Sequence, residues 1–170
     1  MFQLLKFCRL KDTQNVIIRE LELLEFYELG RNTKDEIVGA LVGLNTNENY
    51  LILNIFKYKG SSTHTSVRYK QIENSMLPAG LEILGTIHTH PGFGAFLSET
   101  DLRNLKEKKL NKIAIILDPE NFDLKAFGKD GRQMTIDVVE DYDTQIKFCT
   151  FYKYGIPFKV YMPNKLNEDE

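Results

Sequence analysis

Apolar and polar positions along the chain fall into short strand-like runs and a few stretches of helical spacing. Val16-Ile17-Ile18 is a compact β-branched run, and Leu21, Leu24, Glu25, Glu28 and Leu29 then follow a helical pattern that closes at Gly30-Arg31-Asn32. Residues 36–44 form an apolar run with two glycines. After the polar turn at 45–49 comes a second run at 50–58, which predicts two adjacent strands in a hairpin. Residues 59–65 are Gly, Ser and Thr rich and predict an exposed loop. A weaker helical stretch from about Tyr69 to Met76 is ended by Pro78 and Gly80. Then follow a strand at 83–88, a helix at 99–110 and a buried strand at 112–117 ended by Asp118-Pro119. Residues 122–127, 134–139, 146–152 and 158–161 are further strand candidates, separated by turns at 128–131 and 155–157. This order predicts an α/β domain, a mixed sheet with helices packed on it. No repeat or linker divides the chain, so residues 1–163 read as one domain and 164–170 as a polar acidic tail that frays.

Composition narrows the function classes. At 170 residues, with 42% apolar and 27% charged positions, the chain is long enough to bury about two-thirds of its unfolded surface without disulfides. Its two cysteines, Cys8 and Cys149, make no disulfide framework, suit a reducing compartment and read as core residues. A net charge of −2 argues against a nucleic-acid module. No apolar stretch approaches the roughly 18 residues of a membrane span, and the first ten residues lack a signal-peptide core. A cytoplasmic protein with neither membrane nor nucleic-acid partner is the expectation.

The chemistry comes from where two of the three histidines stand. His88 and His90 lie two apart at the end of a predicted strand, so their side chains share a face. Two imidazoles so placed can reach one metal ion, and a carboxylate from the next element can complete a three-ligand site. Asp101, in the first turn of the following helix, is the candidate; the intervening loop can fold it back to the strand end. Three protein ligands leave one position for water, the open coordination of a catalytic zinc site. His-x-His alone is a weak signal, and Ser98-Glu99-Thr100-Asp101 also fits a helix capping box. The full order of His88, His90, Pro91, a glycine-containing loop, Ser98 and Asp101 is far more restrictive and favours the metal.

That order, His88-Thr89-His90-Pro91 followed by a loop and Ser98-Glu99-Thr100-Asp101, resembles the signature of the JAMM (MPN+) metalloproteases, with the proteasome-lid deubiquitinase and its archaeal relatives nearest in flavour. The likeness runs from about Val16 to Phe127. It implies the MPN (JAB1/MPN, cytidine-deaminase-like) fold, a mixed curved β-sheet flanked by helices. It also implies an upstream glutamate before a glycine-punctuated strand, which Glu36 and the run after it match. On this resemblance His88, His90 and Asp101 hold one Zn2+ per chain. Glu36 is the general base that takes a proton from water and returns it to the leaving amine, and Ser98 donates to the oxyanion. Ser98 has a competing role as the helix N-cap.

The resemblance further implies an isopeptidase that cuts at the C-terminus of ubiquitin or a ubiquitin-like protein. The substrate tail would lie extended against residues 57–66, and a proteasome-like or MPN partner would assist. His64 in that loop has no assigned partner and reads as a surface residue. Neither cysteine carries the signature of a thiol nucleophile, and none is spare for a second zinc. A two-histidine phosphoesterase fails because His90 stands where its second motif needs Thr or Ser, and a zinc deaminase fails for want of a Pro-Cys-x-x-Cys pair. Two alternatives stay open: a non-catalytic MPN scaffold that binds a ubiquitin-like protein, and a peptidase that processes a sulfur-carrier ubiquitin-like protein.

Overall fold

The computed structural model describes residues 14–46, 49–58, 60–63, 66–69, 74, 77–140, 146–153 and 156–163, with side chains described in 14–46, 49–58, 74 and 77–140. In chain order the elements are β1 (Asn15–Arg19), α1 (Glu20–Arg31), β2 (Val38–Asn45), β3 (Asn49–Lys57), β4 (Gly60–Thr63), β5 (Ser66–Tyr69), β6 (Glu82–Thr89), α2 (Glu99–Glu107), β7 (Ile113–Asp118), β8 (Asp123–Gly128), β9 (Gln133–Met134), β10 (Ile136–Val139), β11 (Ile146–Lys153) and β12 (Ile156–Pro163). Eight strands form one mixed sheet in the order β10-β1-β3-β2-β6-β7-β8-β9. The β1–β10, β1–β3 and β6–β7 pairs are parallel and the others antiparallel. This is the mixed α/β sheet that the pattern of elements predicts.

The central strands β2, β6 and β7 are buried on both faces, which is why they read as unbroken apolar runs. One face carries Leu41, Leu84, Ile87, Ile113, Ile115 and Leu117, packed with Phe26 and Tyr27 of α1. Burying a side chain such as Phe26 or Ile87 contributes about 1.5–3 kcal/mol. The other face is split: Val38, Ala40, Val42 and Ile83 pack with Tyr58, and Ile116 packs with Ala95 and Phe127. Two bulges, at Val42/Gly43 against β3 and at Leu41/Val42 against β6, shift the register of β2 on either side.

Helix α1 forms where its spacing predicts, yet the leucines that mark that spacing are exposed: Leu21 at 55%, Leu24 at 48% and Leu29 at 43%. The face turned to the sheet carries Glu22, Phe26, Tyr27 and Gly30. Aromatic bulk and a close approach win here. A Cβ on Gly30 would stand 3.0 Å from Thr89 Cγ2 and 3.3 Å from Pro119, so the end of α1 lies directly against the ends of β6 and β7. Buried Glu22 is neutralised by the Arg19 guanidinium.

Four other expectations change. Residues 60–63, within the loop expected at 59–65, instead form the strand β4, which pairs with β5 in a two-stranded hairpin. The helix expected from about Tyr69 to Met76 begins on a residue that belongs to β5, and most of the rest lies outside the described residues. Helix α2 stops at Glu107, three residues early, because Lys108 adopts an extended backbone (φ −79, ψ 114). The run at 134–139 divides into β9 and β10, which pair with opposite ends of the sheet. Strands β11 and β12 form an antiparallel hairpin that includes Cys149, opposite Val160. Cys8, His64 and the tail at 164–170 lie outside the described residues. No helix among the described residues is long and apolar enough to cross a membrane.

Gly85 tests this packing. A Cβ there would lie 1.8 Å from the Ile113 carbonyl oxygen, a backbone atom that cannot step aside. Gly85→Ala is expected to lower unfolding free energy in urea by the upper end of the about 1–3 kcal/mol that overpacking costs, or more; a wild-type midpoint would refute the β6–β7 register.

Candidate metal centre

The site sits where β6 ends. His88 is paired across the ladders with Val38 of β2 and Ile116 of β7, and His90 follows two residues on, past the strand. His90 continues the ladder, its N–H donating to the Leu117 carbonyl (2.9 Å). Thr89, pointing the opposite way and fully buried, joins this strand end to the segment before β2: its hydroxyl accepts from Ile37 N–H (3.0 Å) and its own N–H donates to the Ile37 carbonyl (3.0 Å). Glu36, which precedes Ile37, is thereby held beside His90, with Oε1 4.0 Å from His90 Nε2.

Helix α2 brings the third candidate ligand. Ser98 is its N-cap in a complete capping box: Ser98 Oγ accepts from Asp101 N–H (3.2 Å) while Asp101 Oδ2 accepts from Ser98 N–H (3.0 Å). The Ser98 hydroxyl also donates to Asp101 Oδ2 (2.5 Å). That leaves Asp101 Oδ1 turned to His88 Nε2 at 3.3 Å, with Oδ2 3.7 Å from His90 Nε2. The two imidazole Nε2 atoms are 3.1 Å apart.

These spacings fit a metal. Ligand atoms about 2.0–2.1 Å from a tetrahedral zinc stand about 3.3 Å from one another, close to the 3.1, 3.3 and 3.7 Å found here. Two imidazoles and one carboxylate are also one of the donor sets that catalytic zinc uses, and the three residues form a group that could hold a metal ion.

The electrostatics agree with that use. Burial, and next the His88 imidazole, lower the pKa of His90, with Asp101 pulling the other way, so the ring is neutral and its lone pair free of a proton at neutral pH. Burial alone would raise the pKa of Asp101, but hydrogen bonds and charge from His88 and the Ser98 hydroxyl and amide bring it down to about 2. It is therefore a carboxylate at any physiological pH. The Phe96 ring lies 5.0 Å from the His90 ring and walls one side of the site.

All five residues singled out in the sequence, Glu36, His88, His90, Ser98 and Asp101, meet in this one place. Of the two roles weighed for Ser98, the capping role is occupied, its hydroxyl committed to Asp101. Three residues that shape the site escaped the sequence reading: Thr89, which ties Glu36 to the histidine strand, Phe96, and Asp118, which closes β7 and gathers the amides of the loop after His90. Only Asp118 left a trace, as a charged residue ending an apolar run.

Residues 23–128 match the protein family described as prokaryotic homologs of the JAB domain. The chain belongs to that family. The JAB domain here is 28% identical over 99 residues to COP9 signalosome complex subunit 5 of Eremothecium gossypii, an alignment covering 50% of this chain and 23% of that protein. It thus spans about a quarter of that relative's length. Among solved structures it is similar to a protein of Desulfitobacterium hafniense (TM-score 0.57, 19% identity, 74% of this chain and 94% of that one). It is also similar to a JAB1/MPN domain protein of Archaeoglobus fulgidus (TM-score 0.50, 21% identity, 72% and 98%). At these identities the two structures speak for the fold.

The depressed pKa of Asp101 gives a signed prediction for the metal-free JAB domain. A carboxyl at about 2 in the folded chain and about 3.9 in the unfolded chain contributes stability above pH 4 that disappears as pH falls through 2. In chelator-treated protein, Asp101→Asn is expected to melt below wild type at pH 6, with the gap closing between about pH 4 and pH 2. A gap constant across that window would contradict the assigned hydrogen bonding.

Proposed function

We propose that this JAB domain is a zinc-dependent isopeptidase that hydrolyses the bond at the C-terminus of ubiquitin or a ubiquitin-like modifier. The single observation that carries the reading is the convergence of His88, His90 and Asp101 at tetrahedral ligand spacing, with the Glu36 carboxylate alongside. When bound, zinc supplies Lewis acidity that polarises a carbonyl and makes water nucleophilic at neutral pH.

The chain's own residues supply the remainder. Neutral His90 and ionised Asp101 present lone pairs without first losing protons. Glu36, part-buried and 4.0 Å from His90, accepts a proton from the attacking water as the new C–O bond forms, and passes it to the departing nitrogen as the C–N bond breaks. The Ser98 hydroxyl, by turning from Asp101 Oδ2, becomes a donor to the oxyanion of the tetrahedral intermediate. No side chain forms a covalent bond to substrate. The JAMM signature supports the ubiquitin-like substrate class, and similarity to a subunit of the COP9 signalosome complex supports work beside protein partners. The β4–β5 hairpin, within residues 57–66 and just beyond, offers backbone edges to which an extended tail can add as a strand. A cytoplasmic setting and a protein partner that positions the substrate belong to the same proposal.

Two measurements test it together: zinc content of the purified chain, and cleavage of a panel of fusions to ubiquitin, ubiquitin-like and sulfur-carrier proteins. Wild type is expected to carry one zinc and cleave, and Glu36→Gln to retain the zinc while losing about 10²–10⁴-fold in rate. A wild type that takes up no zinc, or a fully active Glu36→Gln, would sink the mechanism. Zinc bound tightly without cleavage of any fusion would favour the scaffold, and cleavage of the sulfur-carrier fusion alone would favour the narrower peptidase.

A further inference from the structure

Asp118, the last residue of β7, is fully buried, yet its carboxylate is not paired with any cation within reach of an ion pair among the described residues. Amide donors surround it instead. Oδ1 accepts from the N–H groups of Gly92 (3.0 Å), Glu120 (3.0 Å) and Asn121 (3.4 Å), and Oδ2 from Gly94 N–H (2.6 Å) and the Asn121 side-chain amide (2.7 Å). These donors belong to two turns. One is the turn at 91–94 after His90, with Gly92 and Gly94 at φ +77 and +83; the other is the turn at 119–122 between β7 and β8, with Phe122 at φ 55. The turns touch directly as well, since a Cβ on Gly92 would lie 2.8 Å from Glu120 Oε2.

The loop so held is the chain between the metal ligands. It leaves the sheet at His90, makes a turn closed by Phe93 N–H to the His90 carbonyl (3.2 Å), buries Ala95 against Ile116, and delivers Ser98 and Asp101. Left-handed positions such as Gly92 and Gly94 are where a loop chooses between alternative paths. A carboxylate that accepts both of their amides selects one. We infer that Asp118 is a positioning residue for the metal centre: one buried carboxylate, shared by both turns, fixes the path from His90 to Asp101 and so the spacing of the ligands. The inference rests on the metal reading of His88, His90 and Asp101.

The chemistry explains why aspartate is needed. Every contact of Asp118 is a donor, so an asparagine of the same shape would turn its own NH2 toward the amides on one oxygen's side and leave them unpaired in a site closed to water. Asp123 makes a useful contrast. It holds the same loop through Ala95 N–H (3.0 Å), but its side chain is 35% exposed and also meets Lys125 Nζ (3.1 Å), so water and a cation can share the work.

The test compares Asp118→Asn with Ile17→Ala, a core truncation on β1 three places along the sheet from β6. Zinc affinity is measured by chelator competition, and ligand geometry by the visible ligand-field band of Co2+ in the same site. Asp118→Asn is expected to weaken zinc binding about 10–100-fold, the range for partners that orient metal ligands, and to change the Co2+ band. Ile17→Ala is expected to lower the melting temperature and leave both readouts at wild type. Asn121→Ala, which removes only the 2.7 Å donor, should move affinity and band in the same direction by less. It also keeps the inference testable if Asp118→Asn does not fold. Wild-type affinity and band in a folded Asp118→Asn would overturn the inference, as would wild-type values in Asn121→Ala alongside an unfolded Asp118→Asn, or an equal loss in Ile17→Ala. A wild type without zinc affinity overturns the metal reading itself, which separates the two failures.

Discussion

The ladder that holds β6 between β2 and β7 decides where each functional side chain stands, because strand side chains alternate between faces and a slip of one residue would carry His88 to the α1 side of the sheet. Pairing of His88 with Val38 and Ile116 sets that register, and the burial of all three strands on both faces enforces it. The same ladder runs on through Thr89 to Ile37 and so carries Glu36, 52 residues upstream, to the side of the histidines. The Glu36 carboxylate and the two imidazoles thus share one framework, with no long flexible side chain needed to span a gap.

The remaining candidate ligand reaches the site by a different physical route. Asp101 is held by a helix N-terminus, where the capping box and the macrodipole both favour a negative charge. One oxygen serves the cap and the other faces His88, so closing the helix aims the ligand. Ser98 is caught in the same arrangement: its hydroxyl both accepts from the Asp101 amide and donates to the Asp101 carboxylate. The loop between these two supports is fixed from beneath by buried Asp118, whose pKa burial would raise but which the Asn121 side chain and the Gly92, Gly94 and Glu120 amides hold below the usual carboxylate range. Rigid strand, capped helix and braced loop together leave the ligands little freedom to lose on binding a metal, which is what preorganisation means in a site of this kind.

Much of this was legible beforehand where local pattern and tertiary environment coincide. Residues 113–117 form a strand because a run of β-branched residues suits a doubly buried position, and Ser98 with Asp101 form a cap because three-residue spacing is a property of the helix itself. Legibility failed where the deciding partner is remote. The leucines of α1 keep helical spacing but face outward, since Gly30 lets the helix end close onto Thr89 and Pro119 and so turns Phe26 and Tyr27 inward. The Gly-Ser-Ser-Thr segment forms β4 although Gly and Ser carry weak strand preference, because its backbone pairs with Ser66–Tyr69, where Val67 and Tyr69 are strand formers.

By itself the sequence determined the α/β order of elements, the period-two placement of His88 and His90 and the offset of Asp101 into the first turn of a helix, because these depend on covalent spacing along one element. Only the tertiary structure decided that Glu36 stands 4.0 Å from His90, that Asp101 presents Oδ1 to His88, and that Asp118 collects the amides of two turns. Each of those facts joins residues from separate strands, helices or turns. Distances of that kind are set by sheet register and by the packing of helix ends, and neither is written in the spacing of residues along the chain.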